Sequence, residues 1–304
     1  MTQTADSARV SQQSQPSASA LNVARCRAIA AHETREEIRG PDTLAELFIG
    51  AEGRQSLTDP AMHAVILQKL YAFSPGSYEY FIARTAYLDA VVQQALRDNA
   101  PQIVMLGAGY DTRACRFRDL IRETRIFELD SAATQQHKRA LLDEAHVVAP
   151  PQLTYLALDF TTDSIADVLA GAGYTTDQQT LFIWEGVTYY LPPQAVDATL
   201  AFVRSQSPAG SVICFDYMLP VTELEGRFGA QQARDAMQSI YAAEPLQFDL
   251  APEQVASFLE EHGFELVEHL MADTMQARYL TLRDGSVAGQ MLDLFGLVKA
   301  RVAG

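Results

Sequence analysis

The stretch VMLGAGYDTRACRF, residues 104–117, runs from apolar residues through two glycines into acid, hydroxyl and arginine. Gly107 and Gly109 allow a backbone to approach a ligand that a Cβ would exclude. The pyrophosphate fingerprint G-x-G-x-x-G is incomplete, because position 112 is threonine and Asp111 precedes it. An acid at that helix start repels a diphosphate but tolerates a cationic ligand. A tight strand-to-helix turn, capped by Asp111 or Thr112, explains the same residues without any ligand.

Three more acids close apolar runs downstream. Asp130 ends RIFELD, about 20 residues past the glycines, where nucleotide-binding sheets place an acid for ribose hydroxyls. It could instead cap the helix that follows. Asp159-Phe160 offers a carboxylate for an exocyclic amine and a ring to lie against a base, or a cap and a core residue. Glu185 ends an apolar run that includes Trp184. A buried glutamate needs a partner, which could be a ligand or, purely for structure, Arg113 or Arg84. Tyr189 and Tyr190 follow, suited to positioning a substrate or to packing. Arg84, in ARTAYLD, could hold a ligand carboxylate as a two-pronged donor, or be an exposed helix arginine.

The elements that must position these residues are legible as alternating patterns. Residues 21–99 read as helical, with Leu88, Val91, Val92, Ala95 and Leu96 on one face. GPDTL and GAEGRQSLTDP are expected to break this region into short helices. Strands are expected at 102–109, 125–130, 153–159, 180–186 and 211–218, followed by FELVEHLM and QARYLTL as two closing strands that pair. Helices are expected over PQAVDATLAFVRSQ, with Val196, Thr199, Leu200 and Val203 inward, and over PEQVASFLEEHG, stopped by Gly263. Strands alternating with helices imply an α/β fold with a doubly wound, mostly parallel sheet. Ligands of such sheets sit beyond the carboxyl ends of the strands, so one ligand could touch all four strand ends.

The chain has 304 residues, net charge −15 and a sequence pI near 4.8. That acidity argues against nucleic acid as the main partner. Three separated cysteines and histidines without H-x-H or H-x-x-x-H spacing give no disulfide framework and no expected metal site. No apolar run reaches the roughly 18 residues that span a bilayer. Residues 1–20, rich in Ser, Gln and Ala, read as a flexible tail ahead of one domain over 21–304, and a cytoplasmic protein is expected.

LGAGYDTRACRF, FELD, LDF and WEGVTYYLP together resemble the leucine carboxyl methyltransferase superfamily, and SALNVARCRAIAAHE and DTLAELFI resemble the helical region of its bacterial members. The likeness covers about residues 19–218 and is nearest to the bacterial, polyketide O-methyltransferase-like branch. Where bacterial members carry Asp-Pro-Leu-Ala, this chain has Asp42-Thr43-Leu44-Ala45. The resemblance implies a class I methyltransferase-like sheet of seven strands, with an N-terminal helical extension over 21–99 and a lid insert near 220–250. It implies S-adenosyl-L-methionine as cofactor and S-adenosyl-L-homocysteine as product. Cofactor contacts fall on Arg84, Gly107, Gly109, Asp130, Asp159, Phe160 and Glu185, with Tyr190 and Tyr189 positioning the substrate. Arg27 corresponds loosely to a basic residue of the N-terminal helix. The implied reaction is methyl transfer to a carboxylate or hydroxyl oxygen of a small molecule. Competing readings are methylation of a protein carboxyl terminus, a nicotinamide-dependent oxidoreductase, and an idle cofactor-binding protein.

Overall fold

The computed structural model describes residues 15–304, so most of the tail expected over residues 1–20 lies outside the described residues. The first helix among the described residues, α1 (Ala18–Ala31), starts inside that segment, capped by the Ser17 hydroxyl, which accepts from the Ala20 N–H at 3.1 Å. Next come α2 (Gly50–Thr58), α3 (Pro60–Phe73) and the long α4 (Ser77–Arg97). GAEGRQSLTDP is thus a helix, not a break. The break falls at its end, where Asp59 accepts from the Ala61 N–H at 2.9 Å and Pro60 takes the first turn of α3.

From β1 (Gln102–Leu106) the chain alternates: α5 (Arg113–Arg116), β2 (Arg125–Asp130), α6 (Ala132–Glu144), β3 (Leu153–Ala157), α7 (Ile165–Gly171), β4 (Thr180–Trp184), α8 (Pro193–Ser205) and β5 (Val212–Met218). It closes with α9 (Ala230–Ile240), α10 (Val255–Glu261), β6 (Phe264–Leu270), α11 (Ala272–Tyr279) and β7 (Phe295–Val302). The seven strands lie in the order β3-β2-β1-β4-β5-β7-β6, with β1 to β5 parallel and β7 antiparallel to both neighbours. The winding reverses between β1 and β4, which places a ligand crevice above their carboxyl ends. β1 and β4 are buried at every position, as strands covered on both faces must be.

β2 and β5 end where expected, whereas β1, β3 and β4 stop two or three residues earlier than their apolar runs suggested. Gly107 (φ 69°) and Gly186 (φ 74°) leave the extended region and turn the chain toward the crevice. QARYLTL is not a strand. Its first residues belong to α11, where Ala272 and Met275 are buried and the Tyr279 ring stands edge-on to Tyr87 at 6.4 Å. The strand beside β6 is FGLVKARV, whose later residues alternate between buried Val298, Ala300 and Val302 and less buried Lys299 and Arg301.

Candidate active site

One cavity of about 2390 Å³ opens above the carboxyl ends of β1 to β4. Its wall includes all nine residues singled out from the sequence: Arg84, Gly107, Gly109, Asp130, Asp159, Phe160, Glu185, Tyr189 and Tyr190.

The glycine turn is built against β2. Gly107 and Ala108 donate their N–H groups to the Leu129 carbonyl at 2.8 and 3.0 Å, and Gly109 donates to Asp130 Oδ2 at 2.6 Å. Gly107 adopts a positive φ that favours glycine, and a Cβ there would displace the Val187 Cγ2 methyl. Asp130 is half-buried and also accepts from the Ser131 N–H at 2.7 Å. Burial raises its carboxyl group, against the pull of those two backbone donors. The helix cap is Ser131, not Asp130. At the third strand end, the Asp159 carboxylate accepts from the Thr161 N–H at 2.8 Å and the Thr161 hydroxyl at 2.6 Å, and half-buried Phe160 lies beside it.

Asp111 does not present a bare charge to the crevice. It turns back to its own helix, accepting from the Arg113 N–H at 2.6 Å and pairing with the Arg113 guanidinium. Burial is the largest influence and raises its carboxyl group, but Arg113, Lys138, Arg27 and the Arg113 N–H together outweigh it and hold the group at about 2. Glu185 is pushed up by burial and pulled below the ordinary range by Arg113 and Arg84. Both arginines left open by the sequence are therefore its partners: Arg113 Nη1 at 2.7 Å from Oε2 and Arg84 Nε at 2.9 Å from Oε1. The second contact is too bent for a hydrogen bond and acts as an ion pair only. Arg84 is fully buried, not an exposed helix arginine.

These pairs belong to a longer chain of alternating charge. Arg27 meets Asp42 at 2.9 Å, Asp42 meets Arg116 at 3.5 Å, and Arg116 meets Asp89 at 2.7 Å. Asp89 meets Arg113 at 2.7 Å, and the chain continues through Glu185 to Arg84 and Asp216. Asp216 receives three donors: Arg84 Nη1 at 2.6 Å, the Tyr80 hydroxyl at 2.7 Å and the Gly186 N–H at 2.6 Å. Sequence reasoning missed Asp216, although an acid inside the apolar run VICFDYM carried the same signal as Glu185. The Asp42 that stands before Thr43 also accepts from the Thr112 hydroxyl at 2.7 Å and the Ala45 N–H at 3.2 Å.

Tyr189 is buried, lies tilted 5.2 Å from the Phe295 ring and sets its hydroxyl against Arg84. Tyr190 is half-buried, and its hydroxyl reaches Ser19 at the start of α1. Burial raises both phenols, so at neutral pH they are proton donors. The insert near 220–250 borders the same cavity through α9 and the residues after it. Gln247 fastens it, donating its N–H to the Tyr189 carbonyl at 2.8 Å and its side-chain amide to the Tyr190 carbonyl at 2.7 Å.

This set suits a cationic, nucleoside-bearing ligand better than a dinucleotide. The helix after the glycine turn has four residues, too short to gather N–H groups for a diphosphate. The wall above the strands carries Asp130 and Asp159 instead, with Glu185 held between Arg84 and Arg113. No histidine lines the cavity, and no cluster of metal-ligating residues occurs among the described residues.

The family model for leucine carboxyl methyltransferase matches residues 20–204. A Streptomyces avermitilis protein named as a candidate S-adenosyl-L-methionine-dependent methyltransferase is 32% identical over 86% of this chain and 87% of its own length. A Streptomyces coelicolor protein of the same description is 31% identical, covering 84% and 85%. Among solved structures, a candidate methyltransferase from Thermobifida fusca superposes with a TM-score of 0.58 at 16% identity, covering 96% of both chains. The fold is that of class I methyltransferases, as the sequence resemblance implied. No helix among the described residues is long and apolar enough to cross a membrane.

Proposed function

The chain belongs to the leucine carboxyl methyltransferase family, and from that premise we propose that it is an S-adenosyl-L-methionine-dependent O-methyltransferase acting on a small molecule. The observation that carries this reading is the convergence of four strand ends and Arg84 on one cavity, with acids where a phosphate binder needs donors. In it, Asp130 accepts the ribose hydroxyls, Asp159 and Phe160 hold the adenine, and Gly107 and Gly109 let the backbone come close. Arg84, held by Glu185 and Asp216, binds the cofactor carboxylate. Once bound, the cofactor would supply an electrophilic methyl on a sulfonium, the C–S bond breaking to a neutral thioether as the C–O bond to the acceptor forms.

The protein's part is alignment and exclusion of water. Tyr190 orients the acceptor oxygen by donating a hydrogen bond, and Tyr189 keeps Arg84 in place. With protonated tyrosines and no histidine in the wall, the site offers no base suited to an acceptor with a pKa near ~10. A carboxylate acceptor is already ionised and needs none, which favours it over a phenol. The fastened insert beside the tyrosines favours a small acceptor over a protein terminus.

Calorimetry with S-adenosyl-L-homocysteine and with NAD separates this reading from an oxidoreductase. The first is expected to bind and the second not; the reverse result overturns the proposal. Transfer of labelled methyl to a panel of acids and phenols then distinguishes an enzyme from an idle binder.

A further inference from the structure

Beyond the strand ends the cavity continues between α1, α2, α3, the start of α4 and α9. Its volume, about 2390 Å³, is well above the roughly 300–1,000 Å³ usual for one small ligand. Ile66, Leu70 and Phe73 of α3 border this half at helical spacing, together with Met237 and Ile240 of α9. The α3 sequence PAMHAVILQKLYAF is apolar on most of its faces, yet none of its residues is buried. Such a helix is normally enclosed. Among the described residues ten large hydrophobic side chains are exposed, and five of them (Met62, Val65, Tyr71, Phe73 and Ile240) sit on α3 and α9. Of these five, Phe73 and Ile240 line the cavity, while Met62, Val65 and Tyr71 lie on α3 outside it. The charged residues that border it, Arg25, Glu52 and Lys69, are exposed and stand at its rim. Hydrogen-bonding groups gather at the other end, around Tyr190 and Gln247.

We propose that the acceptor is lipophilic, with an extended apolar body lying between α3 and α9 and an oxygen head group directed to Tyr190. The hydrogen-bonding groups at Tyr190 and Gln247 set that orientation, leaving the apolar body against Ile66, Leu70, Phe73, Met237 and Ile240. This rests on the methyltransferase reading and narrows its acceptor from small molecules in general to amphipathic acids.

The test uses the full chain saturated with S-adenosyl-L-homocysteine and straight-chain carboxylates from butanoate to dodecanoate, titrated calorimetrically. Affinity is expected to rise about fourfold per added methylene until the chamber is filled. Leu70→Asp and the more exposed Phe73→Asp should each weaken dodecanoate binding at least tenfold and leave the S-adenosyl-L-homocysteine affinity unchanged. Val148→Asp, at an exposed valine away from the cavity, should change neither. Affinity independent of chain length overturns the proposal, as does equal weakening by Val148→Asp or no weakening by Phe73→Asp. If S-adenosyl-L-homocysteine itself does not bind, the methyltransferase reading fails, and the carboxylate series on the unliganded chain still decides whether the chamber is lipophilic.

Discussion

Arg84 and Asp216, both 1% exposed, meet at 2.6 Å between α4 and β5. Neither charge has water to solvate it, so each depends on the other, Arg84 also on Glu185, and Asp216 also on the Tyr80 hydroxyl and the Gly186 N–H. Asp216→Asn keeps the shape and removes the charge. We expect a loss of about 3 kcal/mol in urea denaturation and weaker S-adenosyl-L-homocysteine binding, because Arg84 would be drawn toward Glu185. A change under about 0.5 kcal/mol, the range of an ordinary surface substitution, would show that Asp216 does not hold Arg84.

Asp130 spends one oxygen on the Gly109 N–H and one on the Ser131 N–H. Asp130→Ala should weaken S-adenosyl-L-homocysteine by at least about 1–3 kcal/mol, the worth of a buried charge-assisted hydrogen bond. Asp130→Asn retains an acceptor for the turn but lacks the charge. Stability restored without affinity would assign the carboxylate to the ligand; both restored together would assign it to the turn.

Tyr190 reaches Ser19 across the cavity wall. Tyr190→Phe removes only the hydroxyl. Turnover should fall at least tenfold, a loss of about 1.4 kcal/mol in transition-state stabilisation, with cofactor affinity unchanged. Identical kinetics for the two proteins would leave Tyr190 a packing residue.

Asp111 supplies an acid-sensitive term. Its folded pKa, about 2 against an ordinary 3.8, lies below the unfolded value. The stabilisation is complete above that unfolded value and is lost as pH falls toward the folded one, an effect of about 2 kcal/mol. Unfolding free energy measured from pH 5 to pH 2 should therefore drop less steeply in Asp111→Asn than in the parent. Parallel curves would mean that Arg113 does not stabilise the ionised carboxylate.

The strand ends were legible because a parallel sheet writes its site locally: an apolar run, then a glycine or an acid. That placed Gly107, Asp130, Asp159 and Glu185 without any knowledge of their neighbours. Asp216 carried the same mark, but β5 ends at Met218, so the acid read as part of the strand rather than as its end. What it holds, Arg84, is 132 residues away in sequence. The last strand was lost for a different reason. FGLVKARV lies between β5 and β6, pairing antiparallel with both, and nothing local says that Leu297 pairs with Leu270, 27 residues back, while Phe295 pairs with Met218, 77 residues back. QARYLTL offered a strand-like alternation closer to β6, and only contact with α4 makes its first residues helical.

The alternating charges from Arg27 to Asp216 also bear on where this chain can be cut. An expression fragment beginning at residue 100 would discard Arg27, Asp42, Arg84 and Asp89 together. Asp216 would face Tyr80's and Arg84's vacated positions with only the Gly186 amide, and Arg116 would lose both of its acids. Trimming to the sheet alone would thus strand opposite ions inside an oily interior, and insoluble material is the outcome to anticipate.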